Sequence, residues 1–407
     1  MSRLNVSSEI GPLRRVILHR PELSMQRLTP RNMQDLLFDD VIRVERAGLE
    51  HDTFSNVLRG FGVEVLLLHD LLSTVLDNPE ARNWVLERQV TEQDLGPGLA
   101  RTVREQLHQR DADSVASALI GGVTLDDLDV PERTLTGELL VGETDFVLPP
   151  LPNHLFMRDT SCWIFGGVSV NPMAKRARHR ESVHLQAIYR FHPLFRDAPF
   201  DVWYRGIDQE VGGASIEGGD VLVLGNGTVL MGLSERTTPQ AVEILALRLL
   251  RKGAAERVIV VELPKQRSCM HLDTVMTQMD VDCFSVYPVI IDTHIPAFEL
   301  KLGASGMLKF SRIDNFYHAL EKALGVDQLR IITTGGDKYA AEREQWHDAN
   351  NVLTVKPGTV IAYERNVRSI EKMQAAGITV VPIPGEELGR GRGGARCMSC
   401  PVERDDV

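Results

Sequence analysis

The sequence predicts an α/β protein in which five similar modules close into a ring that carries one helical insertion. Two observations predict it: an order of strand, tight turn, strand, helix and strand recurs along the chain, and one long segment lacks strand signals. A module of this size cannot bury its own core, so five copies are expected to pack on one another. One mixed α/β sheet with hairpins is the alternative interpretation of the same pattern.

The clearest module has strands at 221–224 and 228–231 on either side of a Gly-Asn-Gly turn. A helix follows at 239–250, with proline in its first turn where the fixed φ is favourable, and then a strand at 257–262. The other copies keep this order: 161–165 and 168–171 with a helix ending near 189; 274–278 and 283–287; 352–355, 359–363, a helix to about 376, and 378–383; and, with an altered turn, 15–19, 44–58 and 63–68.

Helical patterns replace the strand pattern between residues 70 and 144, as at 81–89, 97–110 and 113–119. We therefore predict an inserted helical domain at 70–144. Residues 1–69 and 145–407 then form the catalytic α/β domain.

Charge and composition exclude several classes of function. The chain has 407 residues and a formal net charge of -11 at pH 7, so the anionic surfaces of nucleic acids and membranes are not expected as partners. No apolar run reaches the length that spans a bilayer, and the first residues lack the apolar core of a signal peptide. Five cysteines without a regular spacing are typical of a reducing compartment, so we expect a cytoplasmic protein.

A glycine-rich loop near the end of the chain, Gly-Arg-Gly-Arg-Gly-Gly-Ala-Arg-Cys at 389–397, carries the strongest chemical signal. Glycines let a backbone wrap closely around a ligand, and nearby cations favour the thiolate form of a cysteine. We therefore expect Cys397 to be a nucleophile, with the adjacent Arg396 favouring its thiolate.

The same residues allow other interpretations. Cys397 and Cys400 form a Cys-x-x-Cys, which is typical of a redox pair or of half a zinc site. A structural zinc needs a second pair, whereas Cys162, Cys269 and Cys283 stand alone. The Arg-Gly-Arg-Gly-Gly run is also typical of RNA-binding segments, although a single copy in an acidic chain is weak support.

Polar residues precede the first strands of several modules. Asp159, Glu217, His271 and Asp273 all lie in such positions. Residues two apart on an extended segment point to the same side, so His271 and Asp273 can share a pocket. Together with Cys397, these side chains predict a site at the centre of the ring.

Taken singly, each of these residues has an ordinary structural explanation. An aspartate before a strand, such as Asp159 or Asp220, often caps its own turn, and a lone His271 is often a hydrogen-bonded structural residue. Arg178 and Arg236 are by default solvated loop charges. Metal catalysis needs several closely spaced ligands, and the sequence offers only one close pair, so we expect no metal.

Eight motifs are spread over the whole chain: Leu-Arg-Arg-Val-Ile-Leu-His-Arg-Pro at 13–21, Leu-Phe-Asp-Asp at 37–40, Glu-His-Asp at 50–52, Phe-Met-Arg-Asp at 156–159, Asn-Pro-Met at 171–173, Glu-Gly-Gly-Asp at 217–220, His-Leu-Asp at 271–273 and Cys-Met-Ser at 397–399. This set resembles the motifs of the arginine deiminase family, within the guanidino-group modifying, or pentein, superfamily. The resemblance implies a fivefold pseudosymmetric α/β propeller with an inserted helical domain.

The resemblance also implies hydrolysis of L-arginine to L-citrulline and ammonia, without metal or cofactor. Cys397 matches the nucleophile, which forms an amidino-thioether with the guanidinium carbon. His271 matches the general acid and base, and Glu217 the carboxylate beside it. Asp159 and Asp273 match the pair that binds the guanidinium nitrogens, as suits a planar cation rich in N–H donors.

The far end of the substrate needs cations for its carboxylate. Arg178, Arg236 and Arg392 match the carboxylate-binding residues of the family, and Asn153 and Phe156 match its pocket. L-Arginine is thus the expected small-molecule partner, and we expect a homo-oligomer. Relatives that transfer an amidino group or act on agmatine, and a catalytically silent scaffold, are the alternatives. The polar and aromatic segment 29–40 would allow a lid.

Overall fold

Nineteen strands form six sheets in this computed structural model, which describes residues 4–129, 134–139, 146–206 and 212–407. The strands are, in chain order, β1 Leu13–Leu18, β2 Glu64–Leu67, β3 Val123–Thr124, β4 Phe146–Leu148, β5 Ser161–Ile164, β6 Gly167–Val170, β7 Asp201–Arg205, β8 Val221–Gly225, β9 Thr228–Leu233, β10 Arg257–Glu262, β11 Met276–Asp280, β12 Cys283–Val286, β13 Ala297–Leu302, β14 Leu308–Ile313, β15 Arg330–Thr333, β16 Leu353–Lys356, β17 Thr359–Tyr363, β18 Thr379–Ile383 and β19 Cys400–Arg404.

Helices connect the strands and cover them within the same described residues. They are α1 Leu23–Gln26, α2 Val44–Gly60, α3 Leu68–Leu76, α4 Pro79–Gln89, α5 Glu92–Gln109, α6 Ala112–Gly121, α7 Leu135–Leu139, α8 Met157–Thr160, α9 His179–Phe191, α10 Pro193–Arg196, α11 Pro239–Lys252, α12 Phe316–Leu324, α13 Lys338–Trp346 and α14 Val367–Ala375. None of these described helices is long and apolar enough to cross a membrane.

Five of the sheets share one plan, in which a central strand pairs antiparallel with one neighbour and parallel with the other. Their strand orders are β19-β1-β2, β5-β6-β7, β8-β9-β10, β11-β12-β15 and β16-β17-β18. The mixed α/β class and the repeated strand order that the sequence predicts are therefore confirmed.

Two pairings differ from the prediction. The first module gains its antiparallel strand from the end of the chain, since β19 pairs with β1. The hairpin of β13 and β14, which the repeat pattern did not predict, extends the β8–β10 sheet beside β10.

Local sequence explains the clearest helix. The Thr238 side chain accepts a hydrogen bond from the Ala241 amide, and Pro239 occupies the first turn. Gly253 ends the helix with φ of 72°, a left-handed conformation that glycine adopts at little cost. The apolar side of α11, including Leu245 and Leu249, is buried.

Helices dominate the predicted insertion. α4, α5 and α6 match the predicted helical segments closely, and α5 is kinked at Gly96, where φ is 71°. The short strand β3 also lies in this region and pairs with β4, contrary to the prediction that strands are absent there. Residues 130–133 and 140–144 of the predicted insertion lie outside the described residues, and the domain boundaries stay predictions.

Candidate active site

Four of the five sheets present a predicted site residue just before a strand. Asp159 lies in α8, before β5; Glu217 comes before β8; and Cys397 comes before β19. His271 and Asp273 lie in the turn that leads into β11. All five side chains are buried, so the segments that precede strands of four sheets bring these residues to one interior site.

His271 is held between two carboxylates. Its Nε2 lies 2.8 Å from Glu217 Oε2, and its Nδ1 lies 3.7 Å from Asp159 Oδ1. Gly219 permits this position, because a Cβ on that residue would lie 2.7 Å from the imidazole ring. Asp220, which the sequence left as a turn residue, accepts the Leu272 amide and so fixes the backbone next to the histidine.

These contacts determine the protonation states of His271 and Glu217. Burial lowers the pKa of His271, but the neighbouring carboxylates, led by Asp159 and Glu217, outweigh burial and raise it to about 9. Burial raises the pKa of Glu217, but the bond to His271 and two nearby arginines lower it to about 2. The histidine is therefore a cation at neutral pH, able to give a proton to a leaving group.

Cys397 lies against Asp273 and an asparagine. Its thiol donates to Asp273 Oδ2 at 3.5 Å, and the same oxygen accepts Arg396 Nη1 at 2.7 Å. Asn351 Nδ2 donates to Cys397 Sγ at 3.0 Å. Arg396 is further held by Glu9, at 3.0 Å from both carboxylate oxygens.

Arg396 lowers the pKa of the Cys397 thiol, as the sequence predicts, but the other surroundings of the thiol outweigh it, so the net effect favours the thiol over the thiolate. Burial raises the pKa of the thiol well above its ordinary value, and the carboxylates of Asp273 and Asp159 raise it further. Arg396 lowers this pKa but by less, because its guanidinium is already bonded to Asp273 and Glu9. A cation entering the site is needed to favour the thiolate.

The predicted residues share one cavity. Asn153, Phe156, Arg178, Arg236 and Arg392 line it together with Asp159, His271 and Cys397. Glu217 and Asp273 lie behind the lining residues, bonded to His271 and next to Cys397. The cavity has a volume of about 20 Å³, which is room for roughly one water molecule.

The three predicted arginines differ in how they are held. Arg178 donates to Asp159 Oδ2 at 2.6 Å and to Glu181 at 2.9 and 3.0 Å. Arg236 Nη1 lies 3.6 Å from Glu217 Oε2. Arg392 stacks on the Trp346 ring at 3.5 Å, and its Nε and Nη1 have no hydrogen-bond partner within the described residues.

Two carboxylate oxygens remain available for a cationic ligand. Asp159 Oδ1 and Asp273 Oδ1 are buried, and neither accepts a hydrogen bond from the parts of the chain that the structure describes. A buried carboxylate oxygen without a donor is costly, and a planar cation with several N–H groups would supply donors to both.

One group in the site has ligand atoms close enough for a metal, contrary to the expectation that only His271 and Asp273 lie close together. Atoms of Asp159, Glu217 and His271 lie within 4.8 Å of one another. However, Arg178 and Arg236 approach Glu217 Oε2 to 3.9 and 3.6 Å, so a metal ion would be repelled by two guanidinium groups.

Sequence reasoning missed Arg267, which lines the cavity together with Leu37 from the segment 29–40. Arg267 donates to the Leu37 carbonyl at 3.4 Å and pairs with Asp39 at 2.8 Å. Asn351, which touches the cysteine, was also missed. Its signal was available, because it comes two residues before β16, as Asp159 does before β5.

Comparison with known proteins agrees with a site for guanidino chemistry. The sequence model of the family described as arginine deiminase matches residues 34–404. The chain therefore belongs to the arginine deiminase family, whose members act on the C–N bonds of amidines.

Solved structures of the pentein superfamily share the fold. An amidinotransferase, SxtG from Microseira wollei, is 15% identical with a TM-score of 0.54, covering 100% of this chain and 98% of that one. A dimethylarginine dimethylaminohydrolase adduct is 15% identical with a TM-score of 0.51, covering 95% and 99%. The N-terminal domain of ArgZ, an arginine dihydrolase of cyanobacteria, is 14% identical with a TM-score of 0.53, covering 96% and 97%. At these identities the likeness shows a common mixed α/β fold.

Proposed function

We propose that the protein is an arginine deiminase, which hydrolyses L-arginine to L-citrulline and ammonia through an amidino-thioether on Cys397. One observation carries the proposal: a thiol, a protonated imidazole and the Asp159 carboxylate line one cavity, and the Asp273 carboxylate lies directly behind the thiol. One oxygen of each carboxylate accepts no hydrogen bond from the described residues. Membership of the arginine deiminase family supports the reaction class.

Substrate binding follows from the charges of the cavity. The guanidinium lies between Asp159 and Asp273 and donates to their Oδ1 atoms, which accept no hydrogen bond from the described residues. Arg236 and Arg392 bind the α-carboxylate. Arg178 also binds this carboxylate, after it releases one of its hydrogen bonds to Asp159 or Glu181. The cavity must widen to admit arginine, so the side chains at its mouth move on binding.

Binding of the guanidinium activates the nucleophile. Its positive charge next to Cys397 offsets the carboxylates that raise the thiol pKa, so the thiol loses its proton to solvent. The thiolate attacks the guanidinium carbon and forms a C–S bond, giving a neutral tetrahedral adduct.

His271 then directs the two bond-breaking steps. Its proton passes to one NH2 group of the adduct, the C–N bond breaks and ammonia leaves, so the amidino-thioether carries the positive charge. The neutral imidazole takes a proton from water while the resulting hydroxide adds to the same carbon. The C–S bond breaks, the thiolate leaves, and citrulline forms after loss of a proton to ammonia.

The finer architecture is part of the proposal. We infer that the five sheets of common plan close into a fivefold pseudosymmetric propeller, with 70–144 as an inserted helical domain. Convergence of residues from successive sheets on one cavity supports this closure.

The test is a product assay on the purified protein with L-arginine in the presence of EDTA. We expect citrulline and ammonia in equal amounts, no urea, and loss of activity by at least about a thousandfold in Cys397→Ala. Cys400→Ala is the matched control and should keep activity, because the Cys400 thiol donates a hydrogen bond to the Ser161 carbonyl and lies outside the cavity. Turnover by Cys397→Ala, or urea as product, contradicts the proposal. Agmatine, which lacks the carboxylate, should be a poor substrate.

A further inference from the structure

The sheet β16-β17-β18 contributes Asn351 to the centre of the site, and the proposed reaction does not use this residue. Asn351 precedes β16 and is buried, with 1% of its surface exposed. Asn350 beside it donates to Ser285 Oγ at 2.8 Å and accepts from Thr334 Oγ1 at 2.9 Å, which anchors this short segment to the neighbouring sheet. The position of Asn351 is therefore fixed independently of the cysteine loop.

The side-chain amide of Asn351 contacts the nucleophile twice. Its Oδ1 accepts the Cys397 amide at 2.9 Å, and its Nδ2 donates to Cys397 Sγ at 3.0 Å. The second Nδ2 hydrogen is directed to the Asp273 carbonyl at 3.1 Å. The opposite orientation would place Oδ1 against two acceptors and Nδ2 against a backbone donor, so the donor to sulfur is determined by the network.

The glycine loop is shaped around this contact. A Cβ on Gly394 would lie 2.4 Å from the Asn351 carbonyl oxygen and 2.9 Å from its Oδ1. Only glycine lets the loop approach closely enough for Asn351 to reach both the amide and the sulfur of Cys397.

The charges around the sulfur show what this donor can do. Asp273 and Asp159 oppose a negative charge on Cys397, and Arg396 offsets them in part. Asn351 Nδ2 lies 3.0 Å from the sulfur and carries no charge of its own. A hydrogen bond donated to a charged partner is stronger than one to a neutral partner, so this bond strengthens when the thiol ionises.

We propose that Asn351 is a catalytic residue, whose amide N–H stabilises the Cys397 thiolate and directs it toward the substrate carbon. This inference rests on the proposed role of Cys397 as nucleophile. It adds no further bond-making step, since the N–H keeps its proton throughout.

The test measures the sulfur itself, without turnover. The rate of Cys397 alkylation by iodoacetamide is followed across a range of pH in the ligand-free protein, by mass spectrometry of the peptide that contains Cys397. The variants are Asn351→Ala, which removes the donor, and Asn351→Asp, which keeps the shape and the acceptor for the Cys397 amide but replaces the donor with a carboxylate. Asn366→Ala is the matched control, because Asn366 is equally buried and its amide donates to the His347 carbonyl, with no contact to the sulfur among the described residues.

At pH values below the thiol pKa, we expect both Asn351 variants to be alkylated more slowly, by about threefold for each unit by which that pKa rises, because the loss of thiolate outweighs the higher nucleophilicity of the thiolate that remains. Asn351→Asp should show the larger loss. With arginine, kcat should fall by about tenfold to a hundredfold with KM nearly unchanged, since Asn351 does not line the cavity. Asn366→Ala should keep the alkylation profile even if it is less stable.

An unchanged alkylation profile in both Asn351 variants, with the protein folded by near-ultraviolet circular dichroism, overturns the inference. Failure of the proposed function gives a different combination of results. If the wild-type protein makes no citrulline and yet the alkylation rates fall as expected, Asn351 still controls the thiolate and only the assigned reaction is wrong.

Discussion

The protonation of single side chains determines what this site can do. His271 is buried and yet positively charged, because two carboxylates outweigh the cost of burying an imidazolium. Cys397 is in the opposite state, neutral until a cation arrives. The site therefore contains a protonated acid and a neutral thiol, and the charge of a cationic substrate favours ionisation of the thiol.

The charge of Glu217 should control the alkaline limit of activity. The pKa of His271 is about 9 in the folded protein, so the imidazole is protonated below this pH and loses its proton above it. In Glu217→Gln one of the two main carboxylate charges is gone, and the pKa of His271 should fall by about one unit or more. The alkaline limb of the kcat–pH profile should move to lower pH by the same amount.

Glu299→Gln is the control, because Glu299 pairs with Lys301 at 2.8 Å and has no contact with His271 among the described residues. Its profile should match that of the wild-type protein. An alkaline limb that stays in place in Glu217→Gln would show that another group titrates there.

The residues that sequence alone could predict are those with a distinctive local pattern. Cys397 follows a glycine loop, and Asp159 and His271 recur at equivalent places in the repeats. Asn351 occupies such a place too, but an amide has no charge or nucleophile to mark it. The state of Cys397 was not predictable, because Arg396 is adjacent in sequence while its guanidinium is bonded to Glu9, nearly four hundred residues away.

At the scale of elements, hairpins were predictable and distant pairings were not. A tight turn between two apolar runs is a local signal, and β8–β9 and β16–β17 form as expected. The pairing of β19 with β1 joins the two ends of the chain, and no local pattern encodes the partner of an edge strand. The place of the β13–β14 hairpin beside β10 was missed for the same reason. The hairpin itself is a local pairing, and it was missed because it lies outside the repeated module.

The turn before β8 positions the histidine, and one added methyl group should show this. Gly219→Ala places a Cβ against the His271 ring, where the distance would be 2.7 Å, so the imidazole must shift. A misplacement of about 1 Å in a catalytic group can cost about a hundredfold in rate, so kcat should fall by at least about tenfold.

Gly213→Ala is the matched control, since a Cβ there meets open space. We expect it to keep the wild-type kcat. Measuring kcat and the thermal midpoint for both variants separates displacement of His271 from unfolding. Full activity in Gly219→Ala would contradict the role of this turn.

At the scale of the whole molecule, acid stability depends on histidines that are buried without charge. His154 Nε2 lies 2.8 Å from His184 Nδ1, and His19 packs edge-on against His154. Burial and the neighbouring cationic groups hold the pKa of His154 and of His184 well below the ordinary range. Each of these side chains must enter the folded protein neutral, so acid favours the unfolded chain.

The clearest case is His19. Burial, followed by the charges of His51 and His69, lowers its pKa from 6.5 to about 3. The unfolded chain therefore binds a proton at His19 as pH falls below 6.5, whereas the folded protein does not until about pH 3, and stability is lost across this window.

In His19→Gln this proton uptake is absent, so the free energy of unfolding should fall less steeply with decreasing pH, by up to about 1.4 kcal/mol per unit. Urea unfolding at several pH values measures the slope. His318→Gln, in which an exposed ring is replaced, should keep the wild-type slope, and an unchanged slope in His19→Gln would show that His19 is not the group responsible.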